Sequence, residues 1–204
     1  MKEYPTLKTK RLFLRPFFTS DAKEVCELGG DPAVVEMLFM LNLCTSGVAR
    51  EWICHQHEEF EEGNWVNFAI THGESGRLMG SVGLDIDRVN HNAEIIYWLG
   101  KEFWGLGHAT EAAQAVMQYG FDTLRLHRIY ARYLVHNTAS GRVLEKLGMT
   151  YEGCLRGHLK KNGVYENLNI MSILRNEYEI QKNFAYEGLN AVGVMKDESI
   201  KREQ

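Results

Sequence analysis

Cysteine and proline are scarce, with four and three residues in a chain of 204. Cys26, Cys44, Cys54 and Cys154 stand far apart and form no C-x-x-C pair. That excludes a disulfide-framed scaffold and fits reduced thiols in a cytoplasm. Long apolar runs are missing too. The most apolar stretch, Val34–Cys44, is broken by Glu36 and Asn42, and a crossing helix needs ~20 apolar residues. The opening MKEYPTLKTK has no apolar core behind its charges, so it does not read as a secretory signal. Basic residues are in deficit: 23 Lys and Arg against 27 Asp and Glu give a net charge of −4. Duplex binding needs a surplus of cations to displace counterions, so a general nucleic-acid partner is not expected. The Walker pattern is absent, and a G-x-G-x-x-G fingerprint starting at Gly105 fails at its last position, where Thr110 stands.

What is there describes an ordinary globular chain, 45% hydrophobic and 25% charged. The length suits one domain. Its boundaries read as 1–175, followed by a partly helical or frayed extension over 176–204 that ends in the polar DESIKREQ. Arg11–Phe18 alternates and reads as a strand that Pro16 pushes toward a sheet edge. Thr19-Ser20-Asp21 offers N-caps for a helix running to about Leu28, which Gly29-Gly30-Asp31-Pro32 breaks. A second helix is expected over Val48–Glu61. Strands follow at Trp65–Thr71, Leu78–Asp85 and Ala93–Leu99, with turns at Gly73, Gly76 and Asn90-His91-Asn92.

The clearest helix comes next. Ala109, Ala112, Ala113, Val116, Met117, Gly120 and Phe121 recur at helical spacing, the stripe of a core-facing helix. Arg128–Val135 reads as a strand, and Arg142–Leu147 as a short helix stopped by Gly148. Strands at Tyr151–Lys160 and Tyr165–Leu174 close the domain through an Asn162-Gly163 hairpin turn.

The segment that carries chemistry is AEIIYWLGKEFWGLGHATE, Ala93–Glu111. A strand runs into a glycine loop, and the loop runs straight into the amphipathic helix. The first turn of a helix has N–H groups with no internal partner and a partial positive charge, so a phosphate is stabilised there. Gly105 and Gly107 allow close backbone approach and positive φ. Alone, such a loop also fits a plain strand-to-helix turn.

WGLGHATEA, with Asn137-Thr138-Ala139-Ser140 and VLEKLGM (Val143–Met149) downstream, resembles the GNAT superfamily of acetyl-CoA-dependent N-acetyltransferases, specifically its RimJ/RimL-like branch. The resemblance covers roughly residues 8–175. It implies a mixed α/β fold: a twisted, mostly antiparallel central sheet of about seven strands with helices on both faces. Where the usual signature has Gln or Arg, this chain has Glu102.

The resemblance implies acetyl-CoA as co-substrate, with its pyrophosphate against the backbone N–H groups of Trp104, Gly105, Leu106, Gly107, His108, Ala109 and Thr110. The pantetheine arm is expected beside Tyr97, Trp98, Leu99 and Gly100, and Asn137 is expected to hold it. His108, Arg142 and Lys146 are candidates for charge on the phosphates; the last two equally fit a solvated helix face. Glu94 is the first candidate for the base that takes the amine's proton, with a water chain to Asp85 as the alternative route. The backbone N–H of Trp98 or Leu99 would bind the oxyanion. The tyrosine that many superfamily members use as proton donor falls at Leu144, and the branch points instead to Ser140. Asn137 and Ser140 also fit plain helix capping. Tyr97, Trp98 and Trp104 otherwise read as packing residues.

Cys54, His55 and His57 suggest a metal, but the two histidines do not share a helix face, so none is expected. The acceptor is a primary amine on a protein N-terminus or a small molecule. The segments 29–47 and 158–166 are expected to shape its pocket. Monomer and homodimer both stay open. A silent acyl-CoA-binding module of the same fold is the alternative reading, and a nucleotide-dependent oxidoreductase a distant one.

Overall fold

The computed structural model describes residues 2–39 and 45–184. Its elements are β1 (Leu7–Lys8), β2 (Leu12–Arg15), α1 (Ala22–Gly29), α2 (Pro32–Met37), α3 (Ser46–Glu62), β3 (Trp65–His72), β4 (Leu78–Asp87), β5 (Asn92–Leu99), α4 (His108–Asp122), β6 (Arg128–Leu134), α5 (Thr138–Lys146), β7 (Thr150–Lys161) and β8 (Val164–Leu174). A last helix, α6, covers 175–184. The strands form one eight-stranded sheet in the order β1-β2-β3-β4-β5-β6-β8-β7. Every pairing is antiparallel except β5 with β6. The two-residue β1 accounts for the strand beyond the expected seven.

Strand alternation puts two cores on the two faces. Val66, Phe68 and Ile70 of β3 and Ala93, Ile95 and Leu99 of β5 join the stripe of α4, including Ala112, Val116 and Phe121. On the opposite face Ala69 and Trp98 pack with Val25 of α1 and with Ala49 and Ile53 of α3. Helices therefore cover both faces. The α6 helix packs back as well: Tyr178 is buried and stacks on Phe121 at 4.7 Å between ring centroids.

The expected hairpin is present, with Asn162 at φ 50° and Gly163 at φ 84°, the paired left-handed geometry of a two-residue turn. Four local expectations need correction. β2 ends at Arg15, before Pro16, and β1 covers it, so β2 is not the edge strand. Asp21 stands at the N-cap of α1 as expected, but its side chain points back: its carboxylate accepts from Phe18 N–H at 2.8 Å, capping the turn Thr19–Asp21 ahead of α1, and pairs with Arg15 at 2.7 and 3.0 Å. Pro32 opens a helix as well as ending one, because Asp31 Oδ1 accepts from Ala33 N–H and frees a proline to stand in the first turn. The α5 helix begins at Thr138, four residues before Arg142, because Asn137 caps it. Met40, Leu41, Cys44 and the extension from 185 onward lie outside the described residues. Among the described residues no helix is long and apolar enough to cross a membrane.

Candidate active site

The parallel pair β5–β6 is short. Its register runs only from Asn92–Arg128 to Glu94–Tyr130, although both strands continue. Beyond Glu94, β5 stays with β4, and β6 stays with β8. The two strands therefore part company and open a cleft through the sheet. The N–H of Gly100 is spent on Met79 O at 2.9 Å. Antiparallel strands direct alternate residues to one neighbour, so the N–H groups of Leu99 and Tyr97 turn toward the cleft and that of Trp98 turns away. Of the two expected oxyanion donors, this alternation favours Leu99. The Trp98 side chain is buried under α1 and α3.

The mouth of the cleft is the loop into α4. Gly105 and Gly107 adopt φ 75° and 81°, which other residues enter at a cost. A Cβ on Gly105 would meet nothing within 4 Å, so that backbone lies open. The first bond of α4 runs from Glu111 N–H to Gly107 O, leaving the amides of His108, Ala109 and Thr110 ahead of it. His108 is 8% exposed and its Nδ1 has no partner. Burial, with help from Arg11, holds its pKa below the ordinary value, so the ring is neutral near pH 7. The open backbone at Gly105 and the bare amides at the start of α4 fit a diphosphate held by backbone N–H groups.

Trp104 departs from expectation. Its N–H bonds Lys101 O at 3.2 Å and its indole Nε1 donates to Leu99 O at 2.8 Å, so it seals the end of β5. Glu102 turns to Arg77 at 2.8 Å. The exposed Leu106 contributes its carbonyl, which accepts from Arg11 Nη1 at 2.9 Å. Glu111 completes the brace: its carboxylate accepts from Thr9 Oγ1 at 2.7 Å, Arg11 N–H at 2.8 Å and Arg11 Nε at 2.6 Å. The loop is thus tied to β2.

At the point where the strands diverge lies Glu94, 2% exposed, on the face of α1 and α3. Arg132 holds it with Nε at 2.9 Å from Oε1 and Nη2 at 2.5 Å from Oε2. Asp85 stands directly opposite Glu94 in the β4–β5 register. Partial loss of water around its carboxyl and the nearby Glu94 raise the Asp85 pKa, against the pull of Arg132. Arg132 completes a cluster of which the sequence had named Glu94 and Asp85. The signal for Arg132 was the alternation Arg128, Tyr130, Arg132 along β6, which puts it beside Glu94.

On the other face, Asn137 accepts the Ser140 N–H at 3.1 Å through Oδ1, as a helix cap does, and its side-chain nitrogen is left for another partner. Ser140 Oγ lies 2.8 Å from Tyr97 Oη. Tyr97 therefore does more than pack. Leu144 is wholly buried and faces no cleft. Arg142 and Lys146 are exposed on α5. His57 Nε2 lies 2.8 Å from Phe17 O and His55 faces Glu58 and Glu59. Among the described residues no group of three or more His, Cys, Asp or Glu is arranged for a metal.

The family model for an acetyltransferase (GNAT) domain matches residues 11–150. An uncharacterized N-acetyltransferase, p20, of Bacillus licheniformis is 36% identical over 85% of this chain and 98% of its own. A spermidine N(1)-acetyltransferase of Escherichia coli is 29% identical over 81% of this chain and 87% of its own. The crystal structure of a GNAT-family acetyltransferase from Bacillus anthracis superposes with a TM-score of 0.76 at 27% identity, covering 85% of this chain and all of that one. The family model covers more than half of the chain, and p20 is matched over nearly its whole length, so this protein belongs to the GNAT acetyltransferase family.

Proposed function

We propose that the protein transfers an acetyl group from acetyl-CoA to a primary amine by direct attack in a ternary complex. The observation that carries this reading is the through-sheet cleft with α4's bare amides at its mouth. The amides of Gly105, Leu106, Gly107, His108, Ala109 and Thr110 hold the diphosphate, with the His108 ring beside them. Trp104 shapes the loop without offering its own N–H. The arm runs beside Trp98, Leu99 and Gly100, with the Asn137 amide bonding it, and Arg142 adds charge near the phosphates. The acetyl carbonyl oxygen takes the Leu99 N–H, which is fixed before charge develops.

The amine approaches from the α1 and α3 face, where the carboxylates stand. A free alkyl amine has a pKa of about 10 and must lose a proton to react. Glu94 stands at the cleft apex with both of its oxygens already held by Arg132. Asp85, with a raised pKa and no hydrogen-bond partner for its carboxylate among the described residues, is the better proton acceptor through water. As the N–C bond forms and the C–S bond breaks, the sulfur keeps the electron pair and the Ser140 hydroxyl donates to it. The acceptor is an N-terminal amine of a protein or a small molecule such as a polyamine, the substrate class in the name of the spermidine relative.

The test is release of free thiol from acetyl-CoA across a panel of peptides with free N-termini and of polyamines. Turnover with at least one member supports the reading. Tight acetyl-CoA binding without turnover on any member would assign a silent binding module instead.

A further inference from the structure

The bond between Tyr97 and Ser140 joins the two walls of the cleft. Tyr97 lies on β5, on the face opposite Glu94, and packs against the main core. Ser140 is the third residue of α5, which follows β6. Tyr97 Oη is 2.8 Å from Ser140 Oγ and 3.3 Å from Ser140 O. The carbonyl is in place to accept from the helix's own ladder, and the hydroxyl contact is shorter. The phenol has one proton to give. Ser140 has one proton and a single rotatable hydroxyl, so its direction depends on what else bonds its oxygen.

Resting on the acetyl-transfer reading, we infer that Tyr97 is a positioning residue whose phenol donates to Ser140 Oγ and turns the Ser140 proton toward the departing sulfur. Tyr97 is suited to this because its strand is held by β4 along its length and cannot drift with α5. Burial, against the bond with Ser140 and with Tyr133 nearby, pushes its pKa well up, so the phenol keeps its proton. Gly141 makes room for the arrangement: a Cβ there would come within 3.0 Å of the Tyr133 hydroxyl. The chemical step keeps its balance. The C–S electron pair goes to sulfur, the hydroxyl of Ser140 bonds the thiolate as it forms, and water supplies its final proton. Thiols have a pKa near ~8.5, so a hydrogen bond, without full transfer from serine, suffices at that moment.

The experiment compares Tyr97→Phe, Ser140→Ala and the double variant on an amine that the parent protein turns over. Tyr97→Phe is expected to lower kcat by about tenfold, with KM for acetyl-CoA within about twofold of the parent because the phenol bonds Ser140 and not the cofactor. In the Ser140→Ala background the same change is expected to cost nothing further. Parental kcat in Tyr97→Phe, an equal loss in the Ser140→Ala background, or a rise in KM for acetyl-CoA that accounts for the lost activity each overturns the inference. A parent protein without turnover on any amine overturns the acetyl-transfer reading instead.

Discussion

Arg132 occupies both carboxylate oxygens of Glu94, at 2.9 and 2.5 Å, and Glu94 is almost wholly buried. Such a pair costs desolvation on both sides, and breaking it leaves one charge alone in the sheet. Arg132→Met is therefore expected to destabilise the fold by about 3 kcal/mol. The double variant Arg132→Met with Glu94→Leu is expected to recover most of that loss. Urea unfolding measures both. Equal instability in the single and double variants would mean that Arg132 contributes through packing alone.

The same pair separates the roles of Glu94 and Asp85. Asp85→Asn removes the proton acceptor and leaves the buried pair intact, so kcat is expected to fall by about 100-fold with little change in unfolding. Glu94→Gln is expected to lower both kcat and stability. With Asp85 as the base, its raised pKa is expected to set the acid limb of kcat/KM: activity climbs as pH rises through a value above that of an ordinary aspartate, because the base must be ionised to work. Asp85→Asn is expected to abolish the limb. A persisting limb would move the base to another group.

The sequence reading reached the strand order, the α4 stripe and the glycine loop because each rests on a local period or a local turn. Gly105, Gly107, Asn162 and Gly163 all take the positive φ that their type and place suggest. It stopped where function depends on partners far apart in the chain. Arg132 meets Glu94 across 38 positions, Tyr97 meets Ser140 across 43, and Arg11 meets Glu111 across 100. Parity along β5 put Glu94 and Tyr97 on opposite faces, but which face held which helices needed the packing. Asn137 reads in the sequence both as a cofactor ligand and as a helix cap; its Oδ1 makes the cap, so only its side-chain nitrogen is left for a cofactor arm.

The Arg11–Glu111 brace holds the phosphate loop rather than touching the cleft. Burial pushes the Glu111 carboxyl up, but the bonds from Thr9 and Arg11 outweigh it and leave its pKa below the ordinary value. Glu111→Gln keeps the shape and weakens three bonds. It is expected to raise the Kd for CoA by about tenfold, with a much smaller effect on kcat at saturating acetyl-CoA. Calorimetric titration with CoA gives the first number and steady-state kinetics the second. An unchanged Kd would show that the loop keeps its form without the brace.

Acid stability has a separate source. Arg128 grips Glu152 and, against some loss of water, holds its pKa at about 2, below the ordinary 4.5; Ser172 adds a further bond. A depressed folded pKa adds stability above the unfolded value and loses it as pH falls through the folded one. The contribution is therefore complete above about 4.5 and fades between there and about 2. Glu152 is 37% exposed, so solvent screens the pair and the effect is modest. Glu152→Gln is expected to flatten the pH dependence of Tm in that window and to leave it unaltered above pH 6. An unchanged acid slope would assign it to other carboxylates.

At the far end of the β7–β8 hairpin, Lys161 Nζ donates to the carbonyls of Val35, Glu36 and Leu38 at 2.8, 2.6 and 2.8 Å. One ammonium so closes the C-terminal end of α2, where the helix dipole favours a cation. It also ties together the two segments expected to shape the acceptor pocket. Lys161→Met removes the three donors and keeps most of the stem. Because Lys161 bonds carbonyls at the end of α2 and, among the described residues, none of the phosphate loop, KM for the amine is expected to rise several-fold while KM for acetyl-CoA holds, and Tm is expected to fall by only a few degrees. A rise in both KM values together would mean that the hairpin steadies the whole sheet and not the acceptor side alone.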